Sequence, residues 1–150
     1  MTAESPRQEQ KERVWLRIAR EVATLSTCRR RQVGCVLVDA NGYVLSTGYN
    51  GVAHGQPHCI DSPCPGSGFP SGEGLDRCEA IHAEQNALLQ CPDTRKIHTA
   101  YVTAFPCVHC VKLLLNTSCT LITYAEPYSH GASPELWSNA QRLRRRVHLD

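Results

Sequence analysis

The sequence lacks any long apolar run and any strong excess of charge. No apolar stretch approaches the ~20 residues that a membrane span needs, and the net charge is only +2 at pH 7. Such a small charge gives no argument for a nucleic acid or a membrane surface as a partner. The N-terminal residues, MTAESPRQEQKER, are polar and charged and contain no apolar signal region. We therefore expect a soluble, cytoplasmic protein without a membrane or nucleic-acid partner.

The chain also lacks internal repeats and low-complexity tracts. Its 150 residues are enough to bury a core without disulfides or other cross-links. A hydrophobic content of 41% beside 20% charged residues is typical of a globular domain and excludes a disordered chain. We therefore expect a single domain that spans residues 1–150.

Cysteine, by contrast, is abundant. The chain has nine cysteines, an odd number, and no export signal, which argues against a disulfide framework. Thiolates that stay reduced in a cytosol are better explained as zinc ligands. Not every cysteine needs that explanation: Cys35, inside VGCVLV, is expected to be a small core residue, and we expect Cys91 and Cys119 to be buried as well.

Hydrophobic periodicity predicts an α/β protein in which strands alternate with helices. Apolar residues recur four apart over about residues 8–25, which predicts an amphipathic helix, and two apolar strands over 32–50 meet at the hairpin sequence Asn41–Gly42. Residues 51–77, rich in Gly, Pro, Ser and Cys, predict a long irregular loop. The remaining predictions are a helix over 78–91, a strand over 98–105, a helix over 107–117, a strand over 119–126, a helix over 133–144 with Ser133 as its N-cap, and an edge strand over 145–149.

Two short motifs carry the chemistry of metal sites. His82 and Glu84 lie in HAE near the start of a predicted helix, and Cys107 and Cys110 lie in PCVHC at the start of the next one. Alone, the cysteine pair fits half a metal site, a redox dithiol or half a disulfide, and a lone His-x-Glu is usually a surface feature. Together they offer one imidazole and two thiolates, which leaves a fourth tetrahedral position open for water, as in catalytic zinc sites. We therefore expect zinc on His82, Cys107 and Cys110, proton transfer by Glu84, and a bystander role for His109.

The arrangement H-x-E…P-C-x-x-C is the signature of zinc nucleobase deaminases. Further segments extend the likeness in order and spacing, and they are VGCVLV, STGYNG, PHC, IHAEQNAL, YVTAFPCVHC and YAEPY. From Cys28 to Tyr128 the chain thus resembles the cytidine/deoxycytidylate deaminase superfamily, and within it the deoxycytidylate (dCMP) deaminases. The resemblance implies a three-layer α/β/α fold around a mixed five-stranded sheet.

The resemblance also implies an activity and a substrate site. The reaction would be zinc-dependent hydrolysis of dCMP to dUMP and ammonia, which supplies dUMP for dTMP synthesis, with Glu84 as the proton-transfer group. Asn50 would bond the sugar, Tyr128 would lie near the base and sugar, and Ala104 would offer backbone groups to the pyrimidine edge. Gly48 and Gly51 would let the backbone approach the ligand closely.

A second metal site follows from the same resemblance. Relatives with similar cysteine positions carry a structural zinc, which here would clip the long loop at about residues 51–78. The expected ligands are Cys28, Cys59, Cys64 and Cys78, with His58 as an alternate ligand.

Regulation is a further implication, with one departure from the family pattern. Many relatives are hexamers that dCTP activates and dTTP inhibits, with Mg²⁺ at the effector site, so we expect a homo-oligomer of this kind. This chain reads GYNGVAHG where relatives often read GYNGSPRG, so that His54 replaces a frequent arginine and supplies less charge to a phosphate. Gly51, His54 and the arginines at 29–31 are the candidates for a phosphate or effector site.

Three alternatives stay open at this point. The substrate could be another cytosine nucleotide, either a 5-substituted dCMP or dCTP. A tRNA or polynucleotide deaminase would share the zinc site but typically presents basic surface; of the two basic runs, Arg29–Arg31 and Arg142–Arg146, we expect the second to be a solvated face. A non-catalytic zinc-binding module is disfavoured, because it would need neither Glu84 nor an open coordination position.

Overall fold

The computed structural model describes residues 4–28, 30–70, 73–74, 79–128 and 131–150. Two residues of the predicted sites, Arg29 and Cys78, lie outside the described residues. The helices of the described part are α1 Pro6–Ala23, α2 Ala83–Gln90, α3 Val108–Leu115 and α4 Ser133–Asn139, with a short 3₁₀ turn at Thr94–Lys96. Its strands are β1 Gly34–Asp39, β2 Val44–Tyr49, β3 Gly51–Val52, β4 Ala80–Ile81, β5 Ile97–Ala104, β6 Leu121–Glu126 and β7 Leu143–Arg146.

Five of these strands form one mixed sheet in the order β2-β1-β5-β6-β7. Strand β1 is antiparallel to both β2 and β5, whereas β5, β6 and β7 run parallel to one another. The short strands β3 and β4 pair separately as an antiparallel ladder. The sheet confirms the predicted α/β class and the mixed five-stranded topology.

Side-chain alternation along β1 divides the core between the two faces of the sheet. Cys35 and Leu37 belong to the cluster that contains residues of α2, α3 and α4, whereas Val36 and Val38 pack with Leu16 of α1. Because successive side chains of a strand point to opposite faces, one apolar strand serves both helical layers. The result is the three-layer arrangement that the resemblance implied.

The hairpin between β1 and β2 forms where the sequence predicted it. Gly42 has a φ of +87° in the connecting turn, a backbone conformation that favours glycine. The carboxylate of Asp39 accepts hydrogen bonds from the amides of Asn41 and Tyr43, both at 2.9 Å. The turn is therefore fixed by local residues alone.

Three predicted boundaries are wrong, and in each case strand pairing is the reason. Helix α2 begins at Ala83 and not near residue 78, because Ala80–Ile81 pairs with β3 at the start of the long loop. Helix α4 ends at Asn139, because Leu143–Arg146 joins β6 as a parallel edge strand. That strand was predicted at 145–149.

Several residue placements complete the description. The N-cap of α4 is Ala132, and Ser133 is instead the first residue of the helix. Cys35 and Cys119 are buried as expected, whereas Cys91 at the end of α2 is only half-buried. Among the described residues, no helix combines the length and the apolar composition that a membrane crossing needs.

Candidate metal and substrate site

The two sequence motifs meet at the starts of neighbouring helices. His82 is the N-cap of α2 and Cys107 is the N-cap of α3, while Cys110 lies one turn into α3. The Nδ1 atom of His82 lies 3.4 Å from the Sγ atoms of both cysteines. All the potential ligand atoms of these residues lie within 4.8 Å of one another, so the group could hold a metal ion. It is the metal-binding group found among the described residues.

Helix α2 is set against the sheet by two small residues of β2. A Cβ atom on Gly48 would lie 2.3 Å from the Ala83 carbonyl oxygen and 2.4 Å from the Ala87 nitrogen. The hydroxyl of Ser46 donates to the Ala87 carbonyl at 2.8 Å. The close approach that Gly48 permits is therefore to helix α2, which corrects the expectation that it serves the ligand directly.

One positioning residue of the site was missed by the sequence analysis. The side-chain carbonyl of Gln85 accepts a hydrogen bond from the backbone amide of His82 at 2.8 Å. This is half of a capping box, in which the side chain of the third helical residue bonds the N-cap amide. The spacing His82-x-x-Gln85 in the sequence was the signal that could have found it.

Burial and mutual hydrogen bonds shift the titration of the group. A hydrogen bond from Cys110, followed by one from His82, lowers the pKa of the Cys107 thiol to about 4. The same contact with the Cys107 thiolate raises the pKa of Cys110, and the hydrogen bond to Cys107 raises the pKa of His82. Cys107 is therefore a thiolate at neutral pH, and the thiolate is the form that binds metals.

Glu84 lies beside the cysteines on the first turn of α2. Its side chain is buried, with 4% of the residue exposed, and burial raises the pKa of its carboxyl group. A buried carboxyl group with a raised pKa is a typical general acid–base group of active sites. The structure thus places Glu84 on the wall of the cavity, and its role in proton transfer stays a prediction.

A cavity of about 120 Å³ opens next to the metal group. It is lined by His82, Glu84 and Cys107 together with the three predicted substrate residues, Asn50, Ala104 and Tyr128. The other lining residues are Cys28, Arg30, Arg31, Val33, Ala80, Ala83 and Phe105. The structure thus brings residues from five separate segments of the chain to one cavity.

Asn50 holds the segment that carries the arginines. Its side-chain oxygen accepts from the Val33 amide at 2.9 Å, and its side-chain nitrogen donates to the Arg31 carbonyl at 2.7 Å. Only 8% of Asn50 is exposed. The residue therefore joins the end of β2 to the start of β1 at the rim of the cavity.

The two arginines of the cavity differ in their partners. Arg30 donates through Nη2 to the carbonyl oxygens of Pro70 and Glu73 at 2.6 and 2.7 Å. Its buried Nη1 atom has no hydrogen-bond partner among the described residues. Arg31 forms a 3.0 Å ion pair with Glu126, whose side chain is 70% exposed. Both arginines line the cavity, but Arg30 is tied to the long loop and Arg31 to β6.

Several predicted residues are not brought to this cavity. Gly51 and His54 do not line it, and His54 is exposed.

The residues predicted for a second metal site are only partly together. Cys59 and Cys64 are buried with their Sγ atoms 3.9 Å apart, whereas Cys28 lines the cavity and forms no metal group with them among the described residues. The ring Nδ1 of His58 shares a 2.9 Å hydrogen bond with the Thr27 hydroxyl.

The basic run at 142–146 is not a solvated face throughout, which corrects that prediction. Arg142 is half-buried and donates to four backbone carbonyls that follow or end α3. Arg145 forms ion pairs with Glu4 and with the buried Glu12. Two of the cations in the run are therefore used inside the protein.

Comparison with known proteins places the chain in a family. Residues 9–126 match the sequence-family model of the cytidine and deoxycytidylate deaminase zinc-binding region. A deoxycytidylate deaminase of Mycobacterium phage D29 is 39% identical over 116 residues, which cover 73% of this chain and 90% of the phage protein. The deoxycytidylate deaminase of Schizosaccharomyces pombe is 36% identical over 126 residues, which cover 79% of this chain but 39% of the yeast protein. The chain thus spans about two-fifths of the length of that yeast relative.

Solved structures agree with the fold. A dCMP deaminase from the cyanophage S-TIM5, in complex with dCMP and dUMP, superposes with a TM-score of 0.73 at 21% identity. The match covers 97% of this chain and 100% of the phage chain. With the matched region containing His82, Glu84, Cys107 and Cys110, the chain belongs to the cytidine and deoxycytidylate deaminase zinc-binding family.

Proposed function

We propose that this protein hydrolyses dCMP to dUMP and ammonia with a zinc ion held by His82, Cys107 and Cys110. The observation that carries the proposal is the convergence of these ligand atoms beside the buried Glu84 in a cavity lined by Asn50. The names of the relatives support it, since several are deoxycytidylate deaminases and one solved relative contains dCMP and dUMP.

The donor set suits zinc. An imidazole nitrogen and two thiolate sulfurs are ligands that Zn²⁺ prefers, and three protein ligands leave one position for water in a catalytic site. When bound, zinc supplies the Lewis acidity that makes water acidic enough to react near neutral pH. The low pKa of Cys107 supports this assignment, because the ligand is already deprotonated.

Glu84 moves the protons of the reaction. Overall, water replaces the amino group at C4 of the cytosine, so that a C–O bond forms, the C–N bond breaks and ammonia leaves. Glu84 takes the first proton of water and delivers it to N3 of the base, and it then takes the remaining proton from the hydroxyl group on C4 and delivers it to the departing amine. Its burial beside Cys110 supports this role, since burial raises the pKa of the carboxyl group and so favours its protonated form.

The substrate residues divide between sugar, base and phosphate. After its two backbone hydrogen bonds, the amide of Asn50 retains one hydrogen and one lone pair, which can bond a sugar hydroxyl. Ala104 and Tyr128 would meet the base. The cations of Arg30 and Arg31 would bind the 5′-phosphate, because both residues line the cavity.

The remaining features belong to the same proposal. Cys59 and Cys64, whose sulfurs are 3.9 Å apart, are the core of a structural zinc site that Cys78 would complete with Cys28 or His58. The protein would work in the cytoplasm. Each chain would be a single domain, and the chains would assemble into a homo-oligomer, a hexamer. In that assembly dCTP and dTTP would act as effectors with Mg²⁺ near Gly51 and His54.

A polynucleotide substrate is the less favoured alternative. Arg142 and Arg145 are committed to carbonyls and carboxylates of the same chain, which leaves fewer cations for a phosphate backbone. A 5-substituted dCMP or dCTP remains a second candidate substrate of the same chemistry.

The test is deamination by the purified protein of dCMP, 5-methyl-dCMP, deoxycytidine, dCTP and a short tRNA hairpin, each with and without added dCTP and Mg²⁺. Turnover of dCMP with little turnover of deoxycytidine is expected, together with two zinc ions per chain by elemental analysis. Turnover of the hairpin alone would contradict the proposal that dCMP is the substrate. Metal binding without turnover of any of these substrates would contradict the proposal that the protein is a deaminase.

A further inference from the structure

The chain that follows β6 contacts both ends of α3, the helix that carries Cys107 and Cys110. At the N-terminal end, the hydroxyl of Ser133 donates a hydrogen bond to the carbonyl oxygen of Pro106 at 2.8 Å. Ser133 is only 1% exposed, so this bond is shielded from water. The Pro106 carbonyl belongs to the peptide group that joins Pro106 to Cys107, and the bond therefore fixes the plane of that peptide.

The peptide group on the other side of Cys107 is fixed as well. The carbonyl oxygen of Cys107 accepts a hydrogen bond from the Val111 amide at 2.9 Å, which closes the first turn of α3. With both flanking peptide planes held, the direction of the Cα–Cβ bond of Cys107 is set, and its Sγ atom is directed toward His82. Only the Pro106 side of this arrangement depends on a side chain far along the sequence.

At the C-terminal end of α3, Arg142 donates hydrogen bonds to backbone carbonyls at and just beyond the end of the helix. Its guanidinium donates to the carbonyl oxygens of Leu115 and Cys119, both at 2.7 Å, and more weakly to two others. It also lies over the ring of the fully buried Trp137, 5.3 Å from the centroid. Helix α3 is thus held at one end by the first residue of α4 and at the other by a residue just beyond α4.

We propose that Ser133 and Arg142, which flank α4, form a clamp on α3, the α4 clamp, that positions Cys107 for metal binding, and that Ser133 is its positioning residue. The inference rests on the proposed function insofar as His82, Cys107 and Cys110 hold the metal. The match to the family model ends at residue 126, so the clamp is built by residues outside the matched region.

A positioning role differs from mere stabilisation in what it changes. A contact that only stabilises the fold lowers the free energy of unfolding when it is lost, but it leaves the metal affinity of the folded molecules unchanged. A contact that orients a ligand changes that affinity and the ligand geometry, in the way that outer-shell partners of metal ligands do. Metal affinity, measured where the protein is fully folded, separates the two roles.

The experiment compares Ser133→Ala with Ser138→Ala, a matched control on the exposed face of the same helix, where the hydroxyl accepts a 3.1 Å bond from Arg144. Zinc affinity is measured by competition with a chromophoric chelator, and ligand geometry by the visible absorption bands of the Co²⁺-substituted protein. We expect Ser133→Ala to bind zinc about tenfold more weakly with shifted Co²⁺ bands, Ser133→Thr to restore both, and Ser138→Ala to match the wild type.

Equal zinc affinity and equal Co²⁺ spectra for the two alanine variants would overturn the clamp while leaving the proposed function intact. A wild-type protein that binds no metal at His82, Cys107 and Cys110 would overturn the proposed function and the clamp with it. If Ser133→Ala does not fold, Arg142→Lys takes its place, because it weakens the clamp at the other end of α3 and keeps the charge. The same weakening of zinc affinity is then expected, and an unchanged affinity would overturn the clamp.

Discussion

At the scale of single residues, the candidate metal ligands are separate from Glu84, the proposed proton-transfer group. The potential ligands are an imidazole and two sulfurs, whereas Glu84 is two residues beyond His82 on the first turn of α2. A change at Glu84 can therefore alter the chemistry without removing a ligand.

The substitution Glu84→Gln should leave zinc content and fold unchanged and lower kcat by about 10²–10⁴-fold, the usual contribution of a general acid–base group. Zinc analysis and steady-state kinetics with dCMP measure both quantities. Glu135→Gln, at an exposed position of α4, is the matched control and should behave as the wild type. A folded, zinc-replete Glu84→Gln protein with normal kcat would refute the assignment.

The cavity arginines should distinguish a nucleotide from a nucleoside. Because Arg30 lines the cavity, Arg30→Gln is expected to remove a charge-assisted contact to the phosphate, worth about 1.5–3 kcal/mol. We expect kcat/KM for dCMP to fall about tenfold to a hundredfold and kcat/KM for deoxycytidine to change little. Arg17→Gln on the exposed face of α1 serves as the control. Equal losses for both substrates would show that Arg30 supports the loop and does not read the phosphate.

At the scale of elements, α2 packs closely on β2 because Gly48 has no side chain. The backbone of the helix occupies the space where the Cβ of residue 48 would lie. Since α2 carries both His82 and Glu84, the depth at which it packs on the sheet sets their distance from Cys107.

Gly48→Ala should therefore destabilise the fold by about 1–3 kcal/mol, the usual cost of overpacking, and should also weaken zinc binding. Urea unfolding and chelator competition measure the two effects. Gly68→Ala, where an added Cβ would meet nothing within 4 Å, is expected to be neutral in both assays. If Gly48→Ala is destabilised but binds zinc as tightly as the wild type, the packing depth of α2 does not control the geometry of the metal ligands.

The sequence predicted the elements better than their ends, for a physical reason. Long periodic segments such as α1 and local turns such as Asn41–Gly42 are determined by neighbouring residues. The start of α2 and the end of α4 depend on pairing with β3 and β6, which are distant in sequence. The metal ligands were predictable because chelate spacing is local, whereas the contact between Ser133 and Pro106 joins residues 27 positions apart and leaves no local pattern.

At the scale of the whole molecule, the first helix and the last strand are joined by charge. Glu12 of α1 is buried and pairs with Arg145 of β7, 133 positions later in the sequence. Burial raises the pKa of Glu12, an effect that outweighs the opposing attraction of Arg145. The folded state therefore binds a proton at Glu12 more tightly than the unfolded state does.

This raised pKa gives a pH dependence with a definite sign. The stabilising contribution of Glu12 is present below its ordinary pKa of 4.5 and is lost as the pH rises through the raised value of the folded state. The unfolding free energy of Glu12→Gln, relative to the wild type, should therefore increase across that window and level off above it. Urea unfolding of both proteins over a pH series tests this, with Glu9→Gln on the exposed side of α1 as the control. A difference that does not vary with pH would contradict it.

The two hydrogen bonds of Asn50 also govern the chemical ageing of the site. The chain contains two Asn–Gly sequences, at Asn41–Gly42 and Asn50–Gly51, and this pair is the one most prone to spontaneous deamidation through attack of the glycine nitrogen on the side-chain carbonyl. Asn41 is exposed in a turn, whereas the Asn50 amide is buried and held at both ends by the backbone of Val33 and Arg31. Deamidation should therefore begin at the hairpin, at a residue that does not line the cavity. At Asn50 it would set a carboxylate against the Arg31 carbonyl and loosen the rim of the cavity.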